Sequence, residues 1–102
     1  MKASKNLSVF QVVHGKWSDK TFGKRTTLGP LKHLEKEVQE LLESPNDVME
    51  YADCFMLLID AARIAGISVD KLLNAVDEKF KINRNRKWGN PDEFGTVEHI
   101  RD

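Results

Sequence analysis

"HLEKEVQELLESPNDVMEYADCFMLLIDAARIAG", from His33 to Gly66, decides the fold. Leu34, Val38, Leu41 and Leu42, with Leu31 just before the stretch, recur at the spacing of one helical face. "SPND" interrupts the pattern, and a second run from about Asp47 to Ala65 is apolar almost all the way round until Gly66 stops it. Glu50, Asp53 and Asp60 nevertheless sit inside that second run. A buried carboxylate is costly unless something pairs with it, so these acids require a partner.

The short turn makes the two helices antiparallel neighbours. Residues at equal height then have positions that sum to a constant set by the turn near Pro45. Glu40 falls level with Glu50, and Glu37 level with Asp53. Members of each pair are spaced i,i+3 on their own helix and so share a face. Four carboxylates brought together in this way raise one another's pKa values or are neutralised by a metal. The donor set is all oxygen, which suits Mg²⁺ or Mn²⁺, and such ions are often completed by substrate phosphates. No histidine or cysteine spacing offers a structural zinc site.

Plainer roles exist for some of these acids. Asp47 and Glu50 have capping-box spacing, and Glu37 and Glu40 lie off the leucine stripe where solvent could satisfy them. Asp53, between Ala52 and Cys54, has no such role. Asp60 lies two turns further along nearly the same face, as an ion-pair partner or a support to the ligands rather than a ligand itself.

The remaining sequence predicts two more helices. Leu7 to Ser18 carries Val9, Phe10, Val13 and Trp17 at helical spacing, followed by a loop, "DKTFGKRTTLG". Pro30 suits the first turn of the helix that runs to about Glu43. Ser68 can cap a last helix whose face is Val69, Leu72, Leu73, Val76 and Phe80. From Gly89 the tail "GNPDEFGTVEHIRD" is turn-rich and is expected to lie over the helices. No segment alternates as a strand does, so the class is all-α, in a single domain over 1–102.

Lys79, Asn83 and Arg86 follow i, i+4, i+7 and point one way from the last turns of that helix. Lysine and arginine bind phosphate oxygens, and asparagine can fix a sugar or phosphate oxygen. A cationic helix C-terminus complementing its dipole is the simpler account of the same residues. Trp17, Trp88 and Phe22 are candidates for stacking a base, or equally core anchors. His33 and His99 lie near these elements without a spacing that assigns them a role.

Composition excludes several classes. The 102 residues are 40% hydrophobic and 31% charged, which fits a globular chain rather than a disordered one. Formal net charge is zero, and the one basic cluster is "KFKINRNRK", too small a field for a duplex-binding protein. The single cysteine, Cys54, precludes an intrachain disulfide and is expected to behave as a small hydrophobe. "MKASKNLSVF" has no long apolar core and "FMLLI" is too short to cross a bilayer, so a cytoplasmic location is expected.

"KEVQEL" followed by "EYAD" resembles the ExxE and ExxD signature of the MazG-like all-α nucleoside triphosphate pyrophosphohydrolases. "WSDKTFG", "GPLKHLEKEVQEL", "YADCFMLLIDAARIAG" and "NRKWGNPDEFGTVEHIRD" extend the resemblance to the small branch associated with dATP and dGTP hydrolysis, over most of the chain from Trp17 onward. Lys36 stands where that family often has a further glutamate.

The resemblance implies a four-helix MazG-like bundle with a turn-rich tail, its helices shared across a homodimer or homotetramer. It implies Mg²⁺ ions, with Mn²⁺ as a substitute, held by Glu37, Glu40, Glu50 and Asp53. Water activated at those ions would attack the α-phosphorus, one of Glu37 and Glu40 doubling as general base, to leave a nucleoside monophosphate and pyrophosphate. Lys79, Arg86 and Asn83 would bind the phosphates; Trp17 and Trp88 stay the candidates, from their residue type, to lie beside the nucleoside. Two other accounts fit the residues: a pyrophosphohydrolase for other or damaged nucleotides, and a non-catalytic helical module that docks on a protein.

Overall fold

The computed structural model describes residues 2–101. The elements are α1 (Leu7–Phe22), α2 (Leu28–Glu43), α3 (Val48–Ile64), α4 (Val69–Arg84), β1 (Lys87–Trp88) and β2 (His99–Ile100). The chain divides into two compact units between Leu72 and Leu73, so the first turn of α4 belongs to the first unit and the remainder to the second. Among the described residues no helix is long and apolar enough to cross a membrane.

In the first unit α2 and α3 form the expected hairpin, and α1 packs on α3. Asp47 caps α3 by accepting from the Met49 amide at 3.0 Å. Gly66, at φ 82°, ends the helix: its amide reaches Arg63 O at 2.9 Å and that of Ile67 reaches Ala62 O at 2.8 Å. Those two bonds satisfy carbonyls that a helix end leaves open, in a conformation that glycine adopts freely. Ser68 Oγ accepts from Lys71 N at 3.2 Å, the cap expected for α4.

Two boundaries differ from the sequence reading. Helix α1 continues through Phe22, where a loop from Asp19 was expected. Ser18, Asp19 and Thr21 are poor helix formers, but Ser18 bonds to Asp60 and Asp19 to Arg63 on α3, and these contacts outweigh propensity. Helix α2 begins at Leu28, two residues before Pro30, which still lies in the first turn where its missing N–H costs nothing.

Gln11 clips the α1–α3–α4 junction. Its buried Nε2 donates to Ile59 O and Ile67 O at 3.1 Å, and its Oε1 accepts from Val69 N at 2.9 Å. Gly15 provides a second close approach, since a Cβ there would collide with the Arg63 side chain. Among the described residues Ile59, Ala61, Val69 and Pro30 are buried.

In the second unit the tail pairs Lys87 with Ile100 and Trp88 with His99, antiparallel. A strand pair this short leaves no alternation for a sequence pattern to reveal. Trp88 Nε1 donates to Asn83 O at 2.8 Å, fastening the tail to the end of α4.

Candidate active site

Helical periodicity sets Glu37 and Glu40 on one face of α2 and Glu50 and Asp53 on one face of α3, and the hairpin turns those faces together. One carboxylate oxygen each from Glu37, Glu40 and Glu50 lies within 4.8 Å of the others. Asp53 stands beside this trio and lines the same cleft as Glu37. Cys54 follows Asp53 on α3, and burial first, then the charges of Glu37, Glu50, Asp53 and Glu40, hold its thiol above the ordinary range.

The trio is strained electrostatically. A hydrogen bond that protonated Glu40 donates to Glu37, then the charge of Glu37 and burial, raise the pKa of Glu40, against which His33 pulls weakly. His33 Nε2 itself lies 3.2 Å from Glu37 Oε1. Glu50 is raised by burial, then by Glu40, Asp47 and Asp53. Its Oε2 is buried without a hydrogen-bond partner. The capping-box role is therefore not taken: the Asp47 amide bonds Ser44 O instead, at 3.1 Å. Three clustered carboxylates with an orphaned oxygen fit a hard divalent cation, which supplies the missing positive charge.

A cleft of about 350 Å³ adjoins the trio, bounded by α1, the following loop, α2 and α3. Glu37 and Asp53 stand on its wall, and so do Trp17, Phe22, His14 and Arg25. Trp17 meets Phe22 edge to face at 5.6 Å and tilts against His14 at 5.5 Å, which gives an aromatic surface of a size to receive a base. His14 and Arg25 escaped the sequence reading. Neither has a motif spacing, and a shared helical face with Trp17 was the one available signal, for His14.

Asp60 does not point at the trio. Burial alone would raise its pKa, but Ser18, Arg63 and Arg25 together outweigh that and hold the carboxylate below its usual range. Arg63 Nε reaches Oδ1 at 2.8 Å, and Ser18 Oγ reaches Oδ2 at 2.8 Å.

In the second unit Lys79, Asn83 and Arg86 come together with parts of the tail. Arg86 Nη1 donates to Asn83 Oδ1 at 3.3 Å. His99 is held below its ordinary pKa by burial and then by Arg86, Arg101 and Lys79. Arg101 thus joins a basic cluster to which the helical spacing gave no pointer. Trp88 stands edge-on to His99 at 6.1 Å, with its indole N–H already used on Asn83.

Residues 10–102 match the model of a family described as dATP/dGTP pyrophosphohydrolase. The Eaa protein of Salmonella phage P22 is 45% identical over 89 residues, which are 87% of this chain and 28% of that protein. This chain therefore spans under a third of the length of that relative. A dATP/dGTP diphosphohydrolase of cyanophage S-2L is 35% identical over 74 residues, 71% of this chain and 67% of that one. Among solved structures, the cyanophage S-2L MazG-like pyrophosphohydrolase bound to dGDP and three catalytic Mn²⁺ ions per active site superposes with a TM-score of 0.76. That pair is 30% identical, over 89% of this chain and 93% of the other. The acidic hairpin, the cleft beside it and these relatives agree: the chain belongs to the dATP/dGTP pyrophosphohydrolase family.

Proposed function

We propose that this protein hydrolyses dATP and dGTP to the nucleoside monophosphate and pyrophosphate, with divalent metal ions as cofactors. The observation that carries this is the convergence of Glu37, Glu40 and Glu50, with a buried unpartnered oxygen on Glu50, next to a cleft with an aromatic wall. The family match over residues 10–102 crosses both compact units, which supports treating the chain as one functional domain.

Glu37, Glu40, Glu50 and Asp53 would hold Mg²⁺ or Mn²⁺. When bound, the ions offset phosphate charge and make water acidic enough to react at neutral pH. The protein's own part is to position and to move a proton. Glu37 or Glu40 accepts the proton of the water that attacks the α-phosphorus, and pyrophosphate leaves on the opposite side. Trp17 and Phe22 take the base on their aromatic surface, excluding water from that end of the cleft. Lys79 and Arg86 offset the phosphate charge and Asn83 orients a phosphate or sugar oxygen, with Trp88 fixing the tail that adds Arg101 to the group. Deoxynucleoside triphosphates of this kind place the work in the cytoplasm, that of the host for a phage-encoded enzyme.

A homodimer or homotetramer is part of the proposal. Val48, Tyr51, Phe55 and Leu58 follow i, i+3, i+7, i+10 on α3 and are all exposed, as are Val12 and Val13 on α1. An apolar stripe of this kind is a surface that a second copy would cover.

The test is a panel of nucleoside triphosphates with Mg²⁺ or Mn²⁺, products separated by ion exchange, and Asp53→Asn as control. Monophosphate and pyrophosphate from dATP and dGTP, abolished by Asp53→Asn, are expected. No turnover of any triphosphate with either metal would overturn the proposal.

A further inference from the structure

Asp60 is 2% exposed and faces two arginines that are engaged differently. Arg63 spends its donors on carboxylates: Nε on Asp60 Oδ1, Nη1 and Nη2 on the two oxygens of Asp19 at 3.1 and 2.9 Å. Arg25, from the loop after α1, binds Ser18 Oγ and Asp60 Oδ2 through Nη2, the latter at 3.2 Å. Its Nε makes a long contact to Gly23 O at 3.4 Å. Its Nη1 takes no partner among the described residues. The guanidinium lies 5.2 Å over the Phe22 ring and forms part of the cleft wall. A cation that lines the cleft is thus clamped on one edge and one face, with the Nη1 donor pair uncommitted among the described residues.

Arg25 lines the cleft together with the aromatic residues Trp17 and Phe22. Its neighbours are Phe22 and Ser18, beside Trp17, so a nucleotide whose phosphates sit at the acids presents its base here.

Guanidinium is a donor only. At position 6 adenine carries an amino donor and guanine an oxo acceptor, so a fixed donor there would welcome one purine and repel the other. N7 is an acceptor in both, and N3 lies on the sugar side. Resting on the proposed dATP and dGTP activity, we infer that Arg25 is a specificity-determining residue whose Nη1 donates to N7 of the purine. Asp60 and Ser18 are positioning residues that clamp its other edge. On the corresponding edge a pyrimidine carries C5–H or a C5 methyl group and no acceptor where N7 lies, so one contact accepts both purines and disfavours the rest.

The test replaces N7 by C–H. Full-length protein is assayed for kcat and KM with dGTP and 7-deaza-dGTP, and with dATP and 7-deaza-dATP, as wild type, Arg25→Gln and Asp60→Asn. Metal-free binding of dGMP and 7-deaza-dGMP to wild type is followed by calorimetry. The wild type is expected to prefer each natural purine about tenfold, mainly through KM, and both variants to lose most of that preference. The binding pair should show the same ratio, and it needs no variant to fold. Equal affinity of wild type for dGMP and 7-deaza-dGMP would overturn the inference, as would a preference that Arg25→Gln leaves intact. Discrimination in binding without turnover of any triphosphate would sink the proposed activity and leave the Arg25 contact standing.

Discussion

The Asp60 carboxylate lies 2.8 Å from Nε of Arg63, one turn further along α3, in space that Gly15 of α1 leaves open by having no side chain. Ser18 and Arg25 tie this acid of α3 to α1 and to the loop beyond it, while Glu50 on the same helix meets Glu37 and Glu40 of α2. The division is electrostatic as well as geometric: among the described residues Asp60 is paired by protein cations, and Glu50 and Asp53 are not.

Removing the paired acid should cost stability. Asp60→Ala leaves Arg25 and Arg63, both partly buried, without their shared counter-charge, and breaks the link from Ser18. Losing one member of such a group is expected to destabilise by about 3 kcal/mol, read by urea unfolding. A change within experimental error would mean that Asp19 and solvent suffice for both arginines.

Acid should unfold the protein through the same group. The folded pKa values of Asp60 and Asp19 lie below the ordinary carboxylate value, so the unfolded chain binds more protons. Their contribution is complete above about pH 4 and is lost as pH falls through the folded values. Glu40 and Glu50 act in the opposite sense, because their raised values mean repulsion that acidification relieves. The metal-free protein is therefore expected to be most stable in mildly acidic solution, above pH 4. Urea midpoints measured from pH 3 to pH 8 check this, and Asp60→Asn should flatten the acid limb.

Glu50→Gln separates stability from chemistry. It removes a charge from a crowded, half-buried position, so the metal-free variant should melt at a higher temperature than wild type. Mn²⁺ should raise the melting temperature of wild type and have much less effect on the variant, since a cation that binds only the folded state stabilises it. Turnover should fall on the order of 10²-fold or more. Equal metal-induced shifts in both proteins would remove Glu50 from the ligand set.

Association is checked at the exposed stripe of α3. Light scattering behind size exclusion should give a dimer or tetramer for wild type, and Leu58→Glu or Phe55→Glu should shift it toward monomer. A monomeric wild type at tens of micromolar would leave the stripe for another partner.

The sequence by itself determined the hairpin and its register. A leucine stripe, a breaking "SPND" and a glycine stop are local signals, and i,i+3 spacing on each antiparallel helix is enough to turn Glu37, Glu40 and Glu50 toward one another. It also fixed the caps at Asp47 and Ser68, which depend on side chains within three residues. Tertiary structure alone decided the rest. The last turn of α1 forms because Ser18 and Asp19 find partners more than forty residues away, against their own propensity. Asp60 turns from the acids to the arginines because Gly15 admits Arg63 there. Arg25 reaches the cleft from a loop with no periodicity, and Arg101 joins Lys79 and Arg86 through a strand pair two residues long. Periodicity places a side chain on a face of its own helix, but what that face meets is set by the packing of the whole chain.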